Sequence, residues 1–173
     1  LVDLLKPYAK GTRLAYVTID SETERKVAQT YNDRFFGGQM KVYWCKTFDE
    51  FKQAFIDSQK EVDIVLLGNN AGADRWDDAE ATAFIKANTK VPTGSINDWM
   101  APYCLLTLAK RTQEQGEWAA QTALLILDGT PISSIAVAEN KQGRLIANLQ
   151  IAEQLGVVLS PSLLKNAEVY KPD

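Results

Sequence analysis

Residues 62–70 read VDIVLLGNN. The run is almost continuously apolar and then stops in a glycine and two asparagines. A strand of that kind is covered on both faces, as strands of a parallel sheet between helices are. Upstream, RLAYVTID (13–20) is a second β-rich run. The segment after it, SETERKVAQTYNDRFF, places Val27, Tyr31 and Phe35 at helical spacing. Ser21 and Glu24 form an S-x-x-E capping box at its start, and Gly37-Gly38 end it. MKVYWCK (40–46) is a further strand; Thr47 and Glu50 repeat the capping box ahead of a stripe of Phe48, Phe51 and Phe55.

Downstream, Asp74 is placed to cap a helix that turns Trp76, Phe84 and Ile85 inward, and VPTGSIN (91–97) is the fourth strand. Strand and helix therefore alternate through residue 98. With right-handed crossovers this predicts a doubly wound α/β fold, a mainly parallel sheet flanked by helices. Beyond Trp99 the pattern loosens. PYCLLTLA (102–109) reads as a strand, and EQGEWAAQTALLILDG as an amphipathic helix with Trp118, Thr122, Leu125 and Ile126 near one face. Gly129 ends that helix with Pro131 just beyond. SIAVAE (134–139) reads as a short strand, KQG as a turn and RLIANL as a strand, followed by a small helix, QIAEQLG. In SPSLLKNAEVY, Ser160 and Pro161 suit the N-cap and first helical position.

Bulk properties narrow the function. The 173 residues suffice for one well-cored domain. A net charge of −3 without runs of like charge argues against nucleic acid or an anionic membrane as partner. The chain contains no histidine. That excludes Ser-His-Asp and Cys-His catalysis and His-ligated metals. Cys45 and Cys104 each lie in an apolar run and read as small buried hydrophobes, with a disulfide between them left open. The N-terminus, LVDLLKPYAKG, has no Met start and no signal-peptide layout; it reads as a helix entered partway, so the chain is expected to be a piece of something longer.

In open α/β sheets ligands bind beyond the carboxyl ends of the strands. Those ends carry Asp20-Ser21, Lys46-Thr47, Gly68-Asn69-Asn70 and Asn97-Asp98-Trp99. Ser21 and Thr47 read first as helix caps. Asn69-Asn70 and Asn97-Asp98 exceed what one cap needs and are candidate ligand contacts, with Trp99 placed to stack on a ring or an apolar group. There is no G-x-G-x-x-G after the first strand and no P-loop. The acids Asp74, Asp77, Asp78 and Glu80 lie where a first helical turn favours them without any cation. No nucleophile stands beside a base, so no catalytic residues and no cofactor are expected.

NDWMAPY, then EQGEWAAQTALLILDGTP, then KQGRLIANLQIAEQLGVVLSPSLLKNAEVY follow an order that resembles the substrate-binding proteins of ABC transporters. The likeness is to the type I periplasmic-binding group that includes tryptophan- and tyrosine-binding members, and specifically to their C-terminal half. It implies one of two α/β lobes closing over a solute. Residues 1–98 would be the lobe proper, and 99–173 a hinge or crossover strand, an amphipathic helix and a closing segment. Asp20, Ser21, Asn69, Asn70, Asn97, Asp98 and Trp99 would then line the interlobe cleft. Partners implied are a small amino-acid-like, polar or aromatic solute, a transporter permease and an N-terminal lobe absent from this sequence. The helix around Trp118 would need cover from this lobe or from a second copy of the chain. The resemblance implies a periplasmic or extracellular, lipid-anchored or free, receptor; the alternative is the same module coupled to a signalling domain.

Overall fold

The computed structural model describes residues 1–172. Strands β1 (Leu14–Ile19), β2 (Lys41–Cys45), β3 (Ile64–Leu67), β4 (Thr93–Ser95), β5 (Leu106–Lys110), β6 (Gly143–Ala147) and β7 (Glu168–Val169) form one sheet. Its order is β2-β1-β3-β4-β5-β6-β7. All pairings are parallel except β5 with β6, which run antiparallel. β1 and β3 are buried along their whole length, as expected of strands covered by helices on both faces. The α/β doubly wound class is thus as expected.

The helices are α1 (Val2–Leu5), α2 (Glu22–Phe35), α3 (Phe48–Glu61), α4 (Asp78–Asn88), α5 (Thr112–Leu127), α6 (Leu149–Leu155) and α7 (Pro161–Lys165). Right-handed crossovers put α2 on one face of the sheet and α3 and α4 on the other. On the first face, Tyr16 of β1 meets Tyr31 of α2 edge-on at 6.3 Å. On the second, fully buried Phe55 of α3 meets Phe84 of α4 at 6.2 Å. Ile85 and Ala81 seal the inner side of α4. Leu5 of α1 fills the space over Gly94, where a side chain on β4 would collide with it.

Ser21, Thr47 and Ser160 cap α2, α3 and α7 as read from the sequence. The capping boxes close only on one side. Glu24 turns into the core instead of returning to Ser21, and Glu50 accepts from the N–H of Lys46. Asp77, not Asp74, caps α4: the N–H of Asp74 donates to the Lys46 carbonyl and its carbonyl accepts from Phe48 N–H, so this residue bridges to the end of β2. The expected strand at 102–109 begins later. Residues Asp98–Tyr103 form 3₁₀ turns, and Asn148 locks them by donating to the carbonyls of Ala101 and Pro102 at 3.1 Å each.

SIAVAE is not a strand. A 3₁₀ turn, Ile132–Ser134, precedes an extended segment without ladder partners, and Val137 is 96% exposed. Its apolar run, residues 135–138, joins no strand of the sheet. Conversely β7, only two residues long, pairs with β6 unannounced by any apolar run. The two cysteines are free and buried. They lie at strands four places apart in the sheet, about 19 Å at the usual strand spacing, far beyond disulfide reach.

Candidate functional site

The carboxyl edge of the parallel strands is built from the turns that follow β1, β2, β3 and β4. The chain order 2-1-3 makes the gap between β1 and β3 the point where the crossovers diverge, which is where doubly wound folds hold ligands. There the N–H of Ile19 donates to the Asn69 carbonyl at 3.3 Å, joining the two turns.

Asp20 is already engaged. Its carboxylate accepts from Arg25 Nε at 2.7 Å and pairs with Nη2 at 2.6 Å, while the guanidinium lies 4.9 Å from the Trp44 ring centre. Ser21 accepts from Glu24 N–H at 3.2 Å, the role of a cap. Asn69 uses its Oδ1 to accept from Ala71 N–H at 2.9 Å, closing an Asx turn at a half-buried position. Asn70 accepts at its carbonyl from Ala73 N–H, and its half-buried side chain borders an open groove of ≈ 670 Å³ with Asp78, Thr82, Trp99, Tyr103 and Tyr170.

Asn97 donates its N–H to Ser95 Oγ and is half-buried. Asp98 accepts from Trp99 N–H at 3.0 Å and lies 3.7 Å from Arg144 of β6. Arg144 also holds Glu168 of β7 at 2.7 Å. Trp99 is 53% exposed and forms the ridge between the groove and a second depression, of ≈ 370 Å³, lined by Asp98, Arg144 and Glu168. The structure therefore brings Asn70 and Trp99 to one hollow and Asp98 and Trp99 to the other. Asp20, Ser21, Asn69 and Asn97 lie on the same edge but line neither.

Sequence reading missed the groups that support this edge. Asp78, the first residue of α4, accepts from both Trp76 Nε1 at 2.8 Å and Tyr103 Oη at 2.7 Å, building the groove floor. Burial first, then the Asp78 carboxylate, pushes the Tyr103 phenol well above its ordinary range, so it stays a donor. The signal available was Tyr103 itself, a hydroxyl in an apolar run that must find a partner when buried. Arg144 was hidden at a strand start. The four acids Asp74, Asp77, Asp78 and Glu80 have separate tasks: Asp77 caps, Asp78 holds two aromatics, Glu80 pairs with Lys52 at 2.9 Å, and Asp74 lies 3.7 Å from Arg75.

What this edge can do chemically is hydrogen-bond and stack. It offers amide groups, one exposed indole and carboxylates whose charges are partly met by arginines.

The family profile described as ABC transporter substrate binding protein matches residues 79–171, from α4 to just beyond β7. No curated protein matches the chain in sequence. Several solved structures share the fold, three of them as follows. The ligand-free, open form of CD0873, a substrate binding protein with adhesive properties from Clostridium difficile, has a TM-score of 0.72 and 20% identity over 99% of this chain and 59% of its own. An ABC domain from Streptococcus pneumonia in complex with L-Trp has a TM-score of 0.61 and 16% identity, covering 98% and 59%. A conserved domain protein from Vibrio cholerae has a TM-score of 0.62 and 16% identity, covering 98% and 57%. The chain thus spans about three fifths of the structures it matches. More than half of its residues fall within the family profile, and it belongs to the ABC transporter substrate binding proteins.

Proposed function

We propose that the chain is one lobe of a two-lobed receptor outside the cytoplasm, capturing a small amino-acid-like, polar or aromatic solute and passing it to an ABC permease without chemical change. One observation carries this reading. The segment between β5 and β6 leaves and re-enters the sheet at the carboxyl edge, with Lys110 paired opposite Gly143. It carries α5, none of whose residues is buried. Trp118, Leu124 and Leu127 are 43%, 62% and 81% exposed. A run of bare apolar side chains of this kind marks an interface. A second lobe seated on α5 would face the Asn69, Asn70, Asn97, Asp98 and Trp99 edge across a cleft. The division into a lobe at 1–98 and a hinge, helix and closing segment at 99–173 belongs to the same reading.

The L-Trp held by the pneumococcal structure makes tryptophan the first probe, in a panel with other amino acids. No helix among the described residues is long and apolar enough to cross a membrane. On the longest polypeptide containing this chain, a bound solute at a hundred times its Kd should add about 2.7 kcal/mol of stability, read as a rise in Tm. Asp98→Ala and Asn69→Ala should each shrink that rise. If a solute stabilises the protein and both variants respond as the parent does, the edge is not the site. Assembly of this chain into dimers through α5 in light scattering would replace the second lobe with a second copy.

A further inference from the structure

Among the described residues Glu24 is the one carboxylate buried in the core, 6% exposed, and neither capping nor ion pairing accounts for it. Its Oε2 accepts two short hydrogen bonds, from Tyr16 Oη and Thr18 Oγ1, each at 2.6 Å. With Oε2 as their common acceptor, both hydroxyl protons point at it. Thr18 Oγ1 then has only lone pairs left for its other side. On that side lies the N–H of Asn69, 3.2 Å away, which donates to it. The competing contact, from Thr18 Oγ1 to the Asn69 carbonyl, is the longer one at 3.5 Å. Burial first, then the hydrogen bond to Glu24, hold the Tyr16 phenol far above its ordinary range, so Tyr16 keeps its proton in place. Gly68 leaves the passage open, since a Cβ there would lie 2.3 Å from Thr18 Oγ1.

We propose that Glu24 is a positioning residue for the candidate site: acting through Thr18, it fixes the direction of the Gly68–Asn69 peptide and hence which face of the Asn69-Asn70 turn is presented at the edge. The relevance to solute capture rests on the function proposed above, but the wiring does not. The carboxylate commits the Thr18 proton inward, and that commitment makes Thr18 an acceptor toward the turn. Without Glu24, the hydroxyl is free to rotate and donate to the Asn69 carbonyl, and the peptide loses its preferred orientation.

The test reads the free chain by amide exchange and ¹H–¹⁵N shifts. Thr18→Val should speed exchange of the Asn69 amide by about tenfold relative to Val17 and Leu67, the loss expected for one buried hydrogen bond. Glu24→Ala should do the same, and adding it to Thr18→Val should move Asn69 little further. Glu24→Gln, which keeps an acceptor oxygen, should hold Asn69 within about twofold of the parent. An unchanged Asn69 in Thr18→Val overturns the proposal, as does equal acceleration of every amide in Glu24→Ala, or an unprotected Asn69 in Glu24→Gln. Should Glu24→Ala not fold, the Thr18→Val and Glu24→Gln pair decides. No solute enters these measurements, so a failure of the proposed function at the edge would leave their outcome untouched, and the reverse.

Discussion

Gly68→Ala places a methyl group against the buried side chains of Thr18 and Tyr16. An ideal Cβ there would be 2.3 Å from Thr18 Oγ1 and 2.5 Å from both Thr18 Cβ and Tyr16 Oη. Comfortable carbon contacts lie near ~3.5–4.0 Å, so something must move by about 1 Å. Neither neighbour is the loose end of a flexible chain. Thr18 is fully buried and Tyr16 nearly so, both in a central strand and both committed to Glu24. Overpacking of this type costs about 1–3 kcal/mol, and breaking one buried hydrogen bond about 1–3 kcal/mol more. The sum, about 4 kcal/mol, is a large share of the ~5–15 kcal/mol available to a domain. For a chain of this length it corresponds to a Tm lowered by about 8–16 °C. Urea unfolding followed by tryptophan fluorescence, with calorimetry, measures both. Gly116→Ala in α5 is the matched control: nothing lies within 4 Å of its Cβ, and it should gain about 0.5–1 kcal/mol. If Gly68→Ala costs less than about 1 kcal/mol, or shifts stability in the same direction as Gly116→Ala, the account of a passage kept clear for the Glu24 network is wrong.

Three more outcomes can be checked by the same means or simpler ones. Phe55→Ala, which empties a fully buried ring site between Phe51 and Phe84, should cost about 3–5 kcal/mol in urea unfolding, and a loss below about 1 would deny that α3 and α4 share one core. Burial, helped by Glu50, pushes the Cys45 thiol up to about 12, and burial raises Cys104 as well; both should ignore an aromatic disulfide reagent at pH 8 until denaturant is added, and one fast equivalent in the native chain would contradict this. Asp63 accepts from Arg13 N, Nε and Nη2 at 3.0–3.1 Å, which holds its carboxyl below the ordinary 3.8. Because the folded value is the lower one, its stabilisation is complete above pH 3.8 and fades as pH falls through the folded value. Asp63→Asn should therefore flatten the acid limb of the stability curve, and an unaltered limb would refute the assignment.

The first half of the sheet was legible because β1, β2 and β3 each announce themselves twice, by a β-rich or apolar run and by a polar turn at the end. Ile64–Leu67 with Gly68-Asn69 is the clearest case, and Ser21 and Thr47 mark the following helices with equal economy. What failed depended on neighbours distant in sequence. Asp74 has the right chemistry for a cap, but a bridge to the end of β2 claims its backbone, and Asp77 takes the role three residues on. SIAVAE is apolar through residues 135–138, yet it joins no strand of the sheet. Of the edge residues, Asn70, Asp98 and Trp99 face hollows, whereas Asp20 is taken by Arg25, a partner five residues away on the next helical turn. Glu24 was the least legible. The S-x-x-E pattern offered a sufficient local reason for it, although Tyr16 and Thr18, alternate residues of an otherwise apolar strand, were two hydroxyls on one face with no stated partner.

The crossing between β5 and β6 has a consequence for engineering. Lys110 and Gly143 are directly opposed in an antiparallel pair, and Arg111 donates to Gln142 through both backbone and side chain. Topologically the pair is a β-hairpin whose loop happens to contain a sixteen-residue helix. Two residues such as Asn-Gly close hairpins of this geometry unaided. Replacing residues 111–142 by that dipeptide would keep every strand pairing and remove the bare helix, leaving a miniature lobe in which the carboxyl edge could be studied alone.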